Sequence, residues 1–368
     1  MAFTGKQLTT QLDADGTLTV QLNDKTWDDP KPGQVLIKVE ATPINPSDLG
    51  LLFASADTDN AVYSPGKVVA KMPENATRAM KARHGMAMPA GNEAAGIVVA
   101  AGEGCEQLMG KRIACVPGTA YGTYAYADTQ MAFPVDDSVT AEQAASSFVN
   151  PMTALGFVET MKLEGFKGIV HAAAASNLGQ MLVKICQEDG IPLVNVVRSE
   201  EQVKLLKDLG ATHVLNMTDA DYMPKLIDAI AETKAMIGFD PIGGGTVASQ
   251  FLTAMEAAAS RGAAFSRYGS SEAKKVYIYG ALDLGPTILN RAFGLTWDLA
   301  GWLLTPFMMK AGPEIVGRMR GRVMKDLTTT FASHYARKGN LEDMLTKDAV
   351  SMYNARRTGE KYLVTPND

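Results

Sequence analysis

The sequence predicts an α/β protein in which a β-rich part precedes a doubly wound parallel sheet. From residue 168 to residue 279, short apolar segments alternate with amphipathic segments, a pattern typical of parallel strands joined by helices. Earlier segments follow one another closely and alternate in the manner of strands. The predicted strands are 34–41, 94–102, 111–117, 122–127, 168–172, 193–197, 213–216, 236–239 and 276–279.

The length of 368 residues exceeds one typical hydrophobic core and predicts two domains. After residue 137 the pattern changes to a capped short helix over 140–147 and a longer helix that begins at Asn150 and Pro151. The end of the chain returns to mixed elements, with a predicted strand over 328–335. We therefore expect one domain to comprise residues 1–149 and 313–368, and the other to comprise residues 150–312.

The segment from about residue 55 to residue 88 lies between the first two of these strands. It is polar, carries both charges and has neither a helical nor a strand period. Long loops without regular structure are uncommon in compact domains. The segment is therefore predicted to be a functional lid or an insertion.

The composition excludes several classes of partner. A formal charge of −5 and the lack of any lysine- or arginine-rich run argue against nucleic acid. The longest apolar run, 299–309, is too short to span a bilayer, and the first residues lack the apolar core of a secretion signal. Cys105, Cys115 and Cys186 are isolated, so we expect buried small residues rather than a metal site. Three unpaired cysteines also fit a reducing, cytoplasmic location.

The segment 169–180 predicts a phosphate-binding loop. It begins as a buried strand, turns through small residues and opens a helix, and a helix N-terminus attracts anions such as a pyrophosphate. Gly179 occupies a glycine position of the usual fingerprint, whereas Ser176 and Asn177 stand where glycines are common. We predict that Ser176, Asn177, Leu178 and Gly179 bind the cofactor phosphates.

Arg198 indicates which dinucleotide this loop binds. It follows the next strand, roughly 20 residues past the loop, where such units contact the adenosine ribose. An acidic residue there would bind a free 2′-hydroxyl, whereas an arginine suits a 2′-phosphate. The pair therefore predicts NADPH as the cofactor. The alternative is an ordinary strand–turn–helix followed by a solvated arginine.

Further landmarks occur in a consistent order along nearly the whole chain. They are Ile44-Asn45-Pro46-Ser47-Asp48, Gly91-Asn92-Glu93-Ala94-Ala95-Gly96, Asn150-Pro151-Met152-Thr153-Ala154, Val214-Leu215-Asn216, Phe239-Asp240-Pro241-Ile242-Gly243 and Thr358-Gly359-Glu360-Lys361-Tyr362. Together they resemble the medium-chain dehydrogenase/reductase superfamily, in its zinc-free quinone oxidoreductase and enoyl reductase branch. The resemblance implies a GroES-like catalytic domain, a Rossmann cofactor domain and a homodimer.

Within that superfamily, alcohol dehydrogenases hold a catalytic zinc on a cysteine and on the histidine of a Gly-His-Glu motif. The corresponding places here look like Ser47, or its neighbours, and Asn92, neither of which suits zinc. We therefore expect no metal. The loop and Arg198 are similar to those of trans-2-enoyl thioester reductases, which carry a proton-donating tyrosine shortly after the Asn-Pro motif. This chain has the apolar run 51–56 there, and Tyr63 lies too far along.

The resemblance also implies roles for individual residues. Asn45 would lie near the nicotinamide ribose and Asn92 would face the vacated metal position, so both are candidate catalytic residues. Asn45 could instead form a turn, and Asn92 could be a structural amide. Further cofactor contacts are implied for Thr153, Asn216, Tyr279, Gly280 and Lys361, of which Lys361 would reach a phosphate. A solvated lysine on an edge strand is the alternative for Lys361.

These inferences predict an NADPH-dependent, zinc-independent reductase that transfers hydride to a small electrophilic acceptor, either a quinone or an α,β-unsaturated carbonyl compound. Such chemistry belongs mainly to the cofactor, and the protein orients the reactants and excludes water. The enzymatic alternative is a trans-2-enoyl-thioester reductase. A non-catalytic NADPH-binding protein is the alternative from a different class. His171, inside a predicted strand, is expected to be a hydrogen-bonded core residue.

Overall fold

The structure is a computed structural model that describes residues 2–368, and it separates into two compact units. Unit 1 comprises Met1–Val149 and Met324–Asp368, and unit 2 comprises Asn150–Val323. The sequence placed the second boundary at residue 312. Gly312, which has non-helical dihedral angles, and Pro313 interrupt a long helix there, and the helix then continues to Lys325. This kink has the sequence pattern of a helix end.

The described residues contain twenty strands and ten α-helices. The strands are β1 Phe3–Leu12, β2 Thr17–Trp27, β3 Gln34–Pro43, β4 Asp57–Ser64, β5 Lys67–Lys71, β6 Met88–Pro89, β7 Ala94–Ala101, β8 Arg112–Cys115, β9 Tyr124–Asp128, β10 Ala132–Pro134, β11 Ile169–Ala172, β12 Leu193–Val197, β13 His213–Asn216, β14 Ile237–Asp240, β15 Gly243–Gly245, β16 Lys274–Ile278, β17 Asp283–Thr287, β18 Trp297–Gly301, β19 Arg337–Gly339 and β20 Tyr362–Val364. The helices are α1 Pro46–Leu52, α2 Glu74–Ala79, α3 Ala141–Ala144, α4 Val149–Leu163, α5 Asn177–Asp189, α6 Glu200–Asp208, α7 Tyr222–Thr233, α8 Val247–Ala259, α9 Leu304–Lys325 and α10 Lys347–Asn354.

Unit 1 is built on two sheets. The first has the order β4-β5-β2-β1-β6, and the second has the order β10-β8-β7-β3-β20-β19, with β9 also paired to β3. Strand β3 lies inside the second sheet, where its alternating side chains Val35, Ile37 and Val39 are fully buried. Its antiparallel neighbours and the short helix α3, capped by Thr140 as predicted, complete this β-rich unit.

Unit 2 contains a six-stranded parallel sheet with the order β13-β12-β11-β14-β16-β18. Numbered from β11, this is the order 3-2-1-4-5-6 of the doubly wound dinucleotide-binding fold, so the fold-class prediction is confirmed. Strands β11, β12 and β14 are buried throughout, as expected where helices cover both faces of a parallel sheet. The strand order reverses between β11 and β14, and ligands of such sheets bind outside the carboxyl ends at this point.

Two segments differ locally from what their sequence patterns indicate. The polar segment 55–88, which has no clear period, contains regular structure, because β4 and β5 form a hairpin through Pro65 and Gly66, and α2 follows. Gly66 has a φ of 66°, which suits this tight turn. The role of the segment 55–88 as a lid or an insertion stays a prediction. The segment 328–335 is not a strand, because Asp326 organises a turn: its carbonyl oxygen accepts the N–H groups of Thr329 and Phe331. The threonine run suggested a strand through β-propensity alone.

The described residues include no helix that combines the length and the apolar composition needed to cross a bilayer. All three cysteines are buried and free, as the sequence predicted. His171 is also buried, in the middle of the parallel sheet, and its ring nitrogen Nε2 lies 2.8 Å from the Tyr279 hydroxyl. The prediction of a hydrogen-bonded core histidine is therefore confirmed.

Candidate active site

The centre of the candidate site in unit 1 is a buried carboxylate, Glu93, which directly precedes β7. Its Oε1 accepts the side-chain amide of Asn45 over 2.8 Å. Its Oε2 accepts the backbone N–H groups of Phe148 and Val149 over 3.0 Å and 2.9 Å, at the start of α4. Both Glu93 and Asn45 are 1% exposed. Because all these neighbours are donors, Glu93 fixes the orientation of the Asn45 amide.

That orientation leaves one atom of Asn45 unsatisfied. Its amide nitrogen is bound to Glu93, and its side-chain oxygen Oδ1 is buried without a hydrogen-bond partner among the described residues. Native proteins rarely leave buried polar atoms unpaired, and such atoms are often functional. Asn45 therefore presents a hydrogen-bond acceptor. This geometry suits a hydroxyl or amide N–H of a ligand and does not suit a carbonyl oxygen.

The carboxylate of Asp48 links the predicted residue Asn92 to Asn45. Asp48 accepts the backbone N–H of Asn45 on one oxygen and that of Asn92 on the other, each over 2.9 Å. Burial raises the pKa of Asp48 to about 7, although these two hydrogen bonds oppose the shift. The side-chain amide of Asn92 donates to the Ser47 hydroxyl over 3.0 Å. Ser47 and Asn92, which the resemblance places at or beside the zinc-ligand positions of alcohol dehydrogenases, are therefore in contact.

Lys361 directly precedes β20, and this strand lies between β3 and β19 in the sheet. The edge-strand alternative for Lys361 is therefore wrong. Its ammonium donates to the hydroxyl of Ser146 over 2.7 Å and lies 5.8 Å from the centre of the Tyr335 ring. Burial lowers the pKa of Lys361 to about 8, and the negative charges of Glu93 and Asp48 oppose this shift. The phosphate contact expected of Lys361 stays a prediction.

In unit 2, the predicted phosphate loop follows β11 and leads into α5. Ser176 is the N-cap of this helix, and its hydroxyl oxygen accepts the N–H of Gly179 over 3.1 Å. Gly179 is essential to the turn, because a Cβ at this position would lie 2.1 Å from the carbonyl oxygen of Ala174. Asn177 and Leu178 form the first helical turn, where backbone N–H groups lack partners within the helix.

Arg198 directly follows β12 at the carboxyl end of the parallel sheet. Its side chain is exposed, and no carboxylate within residues 2–368 lies at ion-pair distance from it. Asn216 ends the neighbouring strand β13, but its side chain already has partners. Its amide donates to Glu200 over 2.9 Å, and its oxygen accepts both the N–H and the hydroxyl of Thr218. Asn216 therefore holds the loop after β13, and its cofactor contact stays a prediction.

Tyr279 and Gly280 lie just past the carboxyl end of β16. The Tyr279 N–H donates to the carbonyl oxygen of Asp240, and Gly280 approaches Pro241 so closely that a Cβ would lie 2.5 Å from its carbonyl oxygen. The Tyr279 ring packs edge-on against Phe157 of α4. Thr153 lies in the same helix and is buried. The parallel sheet thus brings the loop, Arg198 and Tyr279 to one edge, at the carboxyl ends of its strands.

Comparison with known protein families identifies both units. The family described as alcohol dehydrogenase GroES-like domain matches residues 31–137, and the family described as zinc-binding dehydrogenase matches residues 178–292. Together these two families cover more than half of the chain, in the order found in one superfamily. The chain belongs to the medium-chain dehydrogenase/reductase superfamily. It falls in the zinc-free quinone oxidoreductase and enoyl reductase branch, as the sequence predicted.

Individual proteins that are similar to this chain support its assignment to the same branch. A mitochondrial enoyl-[acyl-carrier-protein] reductase of Caenorhabditis elegans is 31% identical over 55% of this chain and 53% of its own length. A quinone oxidoreductase of Salmonella typhimurium is 24% identical over 57% of this chain and 63% of its own length. The chain thus spans about half to two thirds of the length of these relatives.

Solved structures of the superfamily share the fold over nearly the full chain. A putative NADPH:quinone reductase of Mesorhizobium loti has a TM-score of 0.74 and 23% identity, and covers 99% of this chain and 98% of its own. The quinone oxidoreductase of Escherichia coli in complex with NADPH has a TM-score of 0.70 and 18% identity, and covers 99% of this chain and 100% of its own. At such identities the likeness shows the fold alone.

Sequence reasoning missed Glu93, Ser146 and Tyr335 as parts of the polar cluster in unit 1. Glu93 stands within the Gly91–Gly96 motif, but a buried carboxylate and a solvated one have the same sequence signature. Ser146 and Tyr335 lie far apart in the chain, and their hydroxyl oxygens are 2.8 Å apart in the fold. Within residues 2–368, the structure groups no three histidine, cysteine, aspartate or glutamate side chains that could hold a metal.

Proposed function

We propose that this protein is an NADPH-dependent, zinc-independent reductase that transfers hydride to a quinone or an α,β-unsaturated carbonyl acceptor. The observation that carries the proposal is the exposed Arg198, which is unpaired within the described residues at the carboxyl edge of a doubly wound sheet. An arginine at this place can form charge-assisted hydrogen bonds with a ribose 2′-phosphate. Both the E. coli structure in complex with NADPH and the quinone oxidoreductase of Salmonella support this direction.

The residues present fit this dinucleotide. Gly179 allows α5 to approach β11 closely, and Ser176 caps the helix while its own hydroxyl hydrogen remains able to donate to a phosphate oxygen. Leu178 and Gly179 follow in the first turn, so the helix dipole adds to the attraction. When bound, the reduced nicotinamide supplies the hydride. The buried Asn45 oxygen, left unpaired when Glu93 binds the amide nitrogen, accepts a hydroxyl hydrogen of the ligand in this proposal.

Dissociation constants for NADPH and NADH, combined with Arg198→Ala, test the cofactor assignment. We expect wild type to prefer NADPH and the variant to lose on the order of 100-fold in NADPH affinity while NADH binding changes little. Lys207→Ala is the matched control, because this exposed cation lies on α6 and leaves the loop intact. Equal losses for both nucleotides would contradict the 2′-phosphate contact.

Acceptor specificity is tested by following NADPH oxidation with benzoquinone, a free enone and crotonyl-thioester. Faster turnover of benzoquinone or the enone supports the proposal. Preference for the thioester would instead favour an enoyl-thioester reductase, the activity named for the C. elegans relative. Binding of NADPH without turnover of any acceptor would favour a non-catalytic NADPH-binding protein.

We also propose a homodimer. Strand β18 is the outer strand of the parallel sheet, so its backbone groups are available for pairing with a second copy. The apolar side chains two residues before and after this strand are exposed, with Leu295 at 71% and Leu303 at 66%. Light scattering coupled to size-exclusion chromatography should give twice the mass of one chain. The double variant Leu295→Lys with Leu303→Lys should have the mass of a single chain. The cytoplasmic location stays a prediction.

A further inference from the structure

A chain of hydrogen-bonded side chains runs through unit 1. The ammonium of Lys361 donates to Ser146, the hydroxyl oxygens of Ser146 and Tyr335 lie 2.8 Å apart, and the Tyr335 hydroxyl donates to the carbonyl oxygen of Glu142 over 3.1 Å. The last hydrogen bond shows which group donates in each of the others. Because a carbonyl only accepts, the single hydrogen of Tyr335 points to Glu142, and the hydrogen of Ser146 therefore points to Tyr335.

Lys361 has unused donors at the inner end of this chain. Of its three N–H bonds, one reaches Ser146, and no carboxylate within residues 2–368 lies at ion-pair distance from the ammonium. Glu93 is close enough to affect its charge, but both Glu93 oxygens already accept hydrogen bonds from Asn45, Phe148 and Val149. Lys361 is partly buried, and a partly buried ammonium without a counter-ion is costly, which indicates that Lys361 is kept for chemistry or for a ligand.

The proposed reaction needs such a donor. Hydride addition to the β-carbon of an α,β-unsaturated carbonyl compound leaves an enolate, and one proton must then be added at the α-carbon. The resembled enoyl reductases carry a tyrosine shortly after the Asn-Pro motif, but here Leu52 and Phe53 are packed in the core, at 0% and 1% exposure. The proton must therefore come from a residue elsewhere in the site or from water.

We propose that Lys361 is the proton donor for α,β-unsaturated carbonyl acceptors and that Ser146 and Tyr335 are positioning residues that restore its proton from solvent. This rests on the proposed reductase function. In the step, an N–H bond of the Lys361 ammonium breaks and a C–H bond forms at the α-carbon, which leaves a neutral amine and a saturated carbonyl product. The amine then takes the hydrogen of Ser146, Ser146 takes that of Tyr335, and a solvent water protonates Tyr335 and remains in solvent as hydroxide.

The electrostatics of the cluster support this role. A lysine with a pKa of about 8 is largely protonated near neutral pH and yet transfers its proton readily, as a general acid should. The groups that face it are Glu93 and Asp48, which favour the charged form, and Tyr335, whose own pKa is raised by burial. Glu142, at the outer end, is held by an ion pair with Lys338 on the surface.

Lys361→Arg separates this proposal from the predicted phosphate contact. Arginine keeps the positive charge but does not release a proton at these pH values. Proton donation therefore predicts a loss on the order of 100-fold in kcat for an enone, with quinone reduction and the Kd for NADPH within about three-fold of wild type. If Lys361 bound phosphate, arginine would sustain enone reduction, and Lys361→Gln would weaken NADPH binding instead. Either result would overturn the proposal.

Ser146→Ala and Tyr335→Phe test the relay, with Ser147→Ala as the matched control, because Ser147 is equally buried and lies outside the chain of hydrogen bonds. The rate of enone reduction by wild type should fall above about pH 8. Both relay variants should lower this rate and shift the pH at which it falls.

Isotope labelling is a second test. In D₂O with an α-methyl enone, wild type should add deuterium to one face of the α-carbon, and Lys361→Arg should add it to both faces. An unchanged pH profile and labelling in every variant would refute the relay while leaving the reductase intact. No NADPH oxidation by wild type would instead refute the proposed function.

Discussion

The side-chain amide of Asn45 donates to Glu93 over 2.8 Å, and this bond leaves the amide oxygen of Asn45 buried and unpaired within the described residues. The same carboxylate accepts two backbone N–H groups at the start of α4. One charged group therefore orients a candidate site residue and fixes the beginning of a helix. A carboxylate that accepts three donors in a buried place is difficult to replace.

Glu93→Gln tests this relationship. Glutamine has the same shape, but its NH₂ group must face one of the three donors that now surround Glu93, so a buried donor loses its acceptor. We expect the free energy of unfolding to fall by about 2 kcal/mol in urea denaturation. Glu74→Gln, on an exposed helix of unit 1, serves as the control and should change little. Equal stability of Glu93→Gln and wild type would show that the carboxylate is replaceable.

Gly179→Ala tests the close approach of α5 to β11. The added Cβ would lie 2.1 Å from the Ala174 carbonyl oxygen, and backbone cannot rotate away as a flexible side chain would. We expect a loss of about 1–3 kcal/mol in stability and at least ten-fold weaker NADPH binding, measured by fluorescence titration. Gly301→Ala is the control, because a Cβ added there would meet no heavy atom within 4 Å. NADPH binding equal to wild type would show that the loop tolerates the displacement.

Local signals explain what the sequence predicted well. The buried strands of unit 2 are continuous apolar runs, and the caps Thr140 and Ser176 act on residues three positions away. Such patterns do not depend on distant parts of the chain. They identify the parallel sheet, the turn that leads into α5 and the position of Arg198 at the sheet edge, whereas phosphate binding by that turn stays a prediction.

Long-range pairing explains most of what the sequence did not predict. The hairpin of β1 and β2 and that of β4 and β5 carry many polar residues on their exposed faces, so their alternation is weak. A solvated lysine remained an alternative for Lys361 because nothing in its sequence neighbourhood indicates that β20 inserts between β3 and β19. The cluster of Glu93, Ser146 and Tyr335 depends on the same tertiary arrangement.

The burial of His171, whose Nε2 contacts the Tyr279 hydroxyl, predicts how stability responds to acid. Burial lowers the pKa of His171 to about 3, against its ordinary value of 6.5. As the pH falls below 6.5, the unfolded chain takes up a proton that the native state refuses, so stability is lost progressively between about pH 6.5 and pH 3. We expect this residue to contribute a slope approaching about 1.4 kcal/mol per pH unit.

The double variant His171→Phe with Tyr279→Phe isolates that contribution. His171→Phe alone leaves the Tyr279 hydroxyl without its partner and should destabilise unit 2, whereas the double variant removes both polar groups from an aromatic cluster that also contains Phe157 and Phe239. The two substitutions should therefore be non-additive, with the double variant more stable than His171→Phe. Urea unfolding midpoints measured from pH 7 to pH 4 should decline less steeply in the double variant than in wild type. Parallel declines would mean that His171 is protonated in the native state, contrary to its burial.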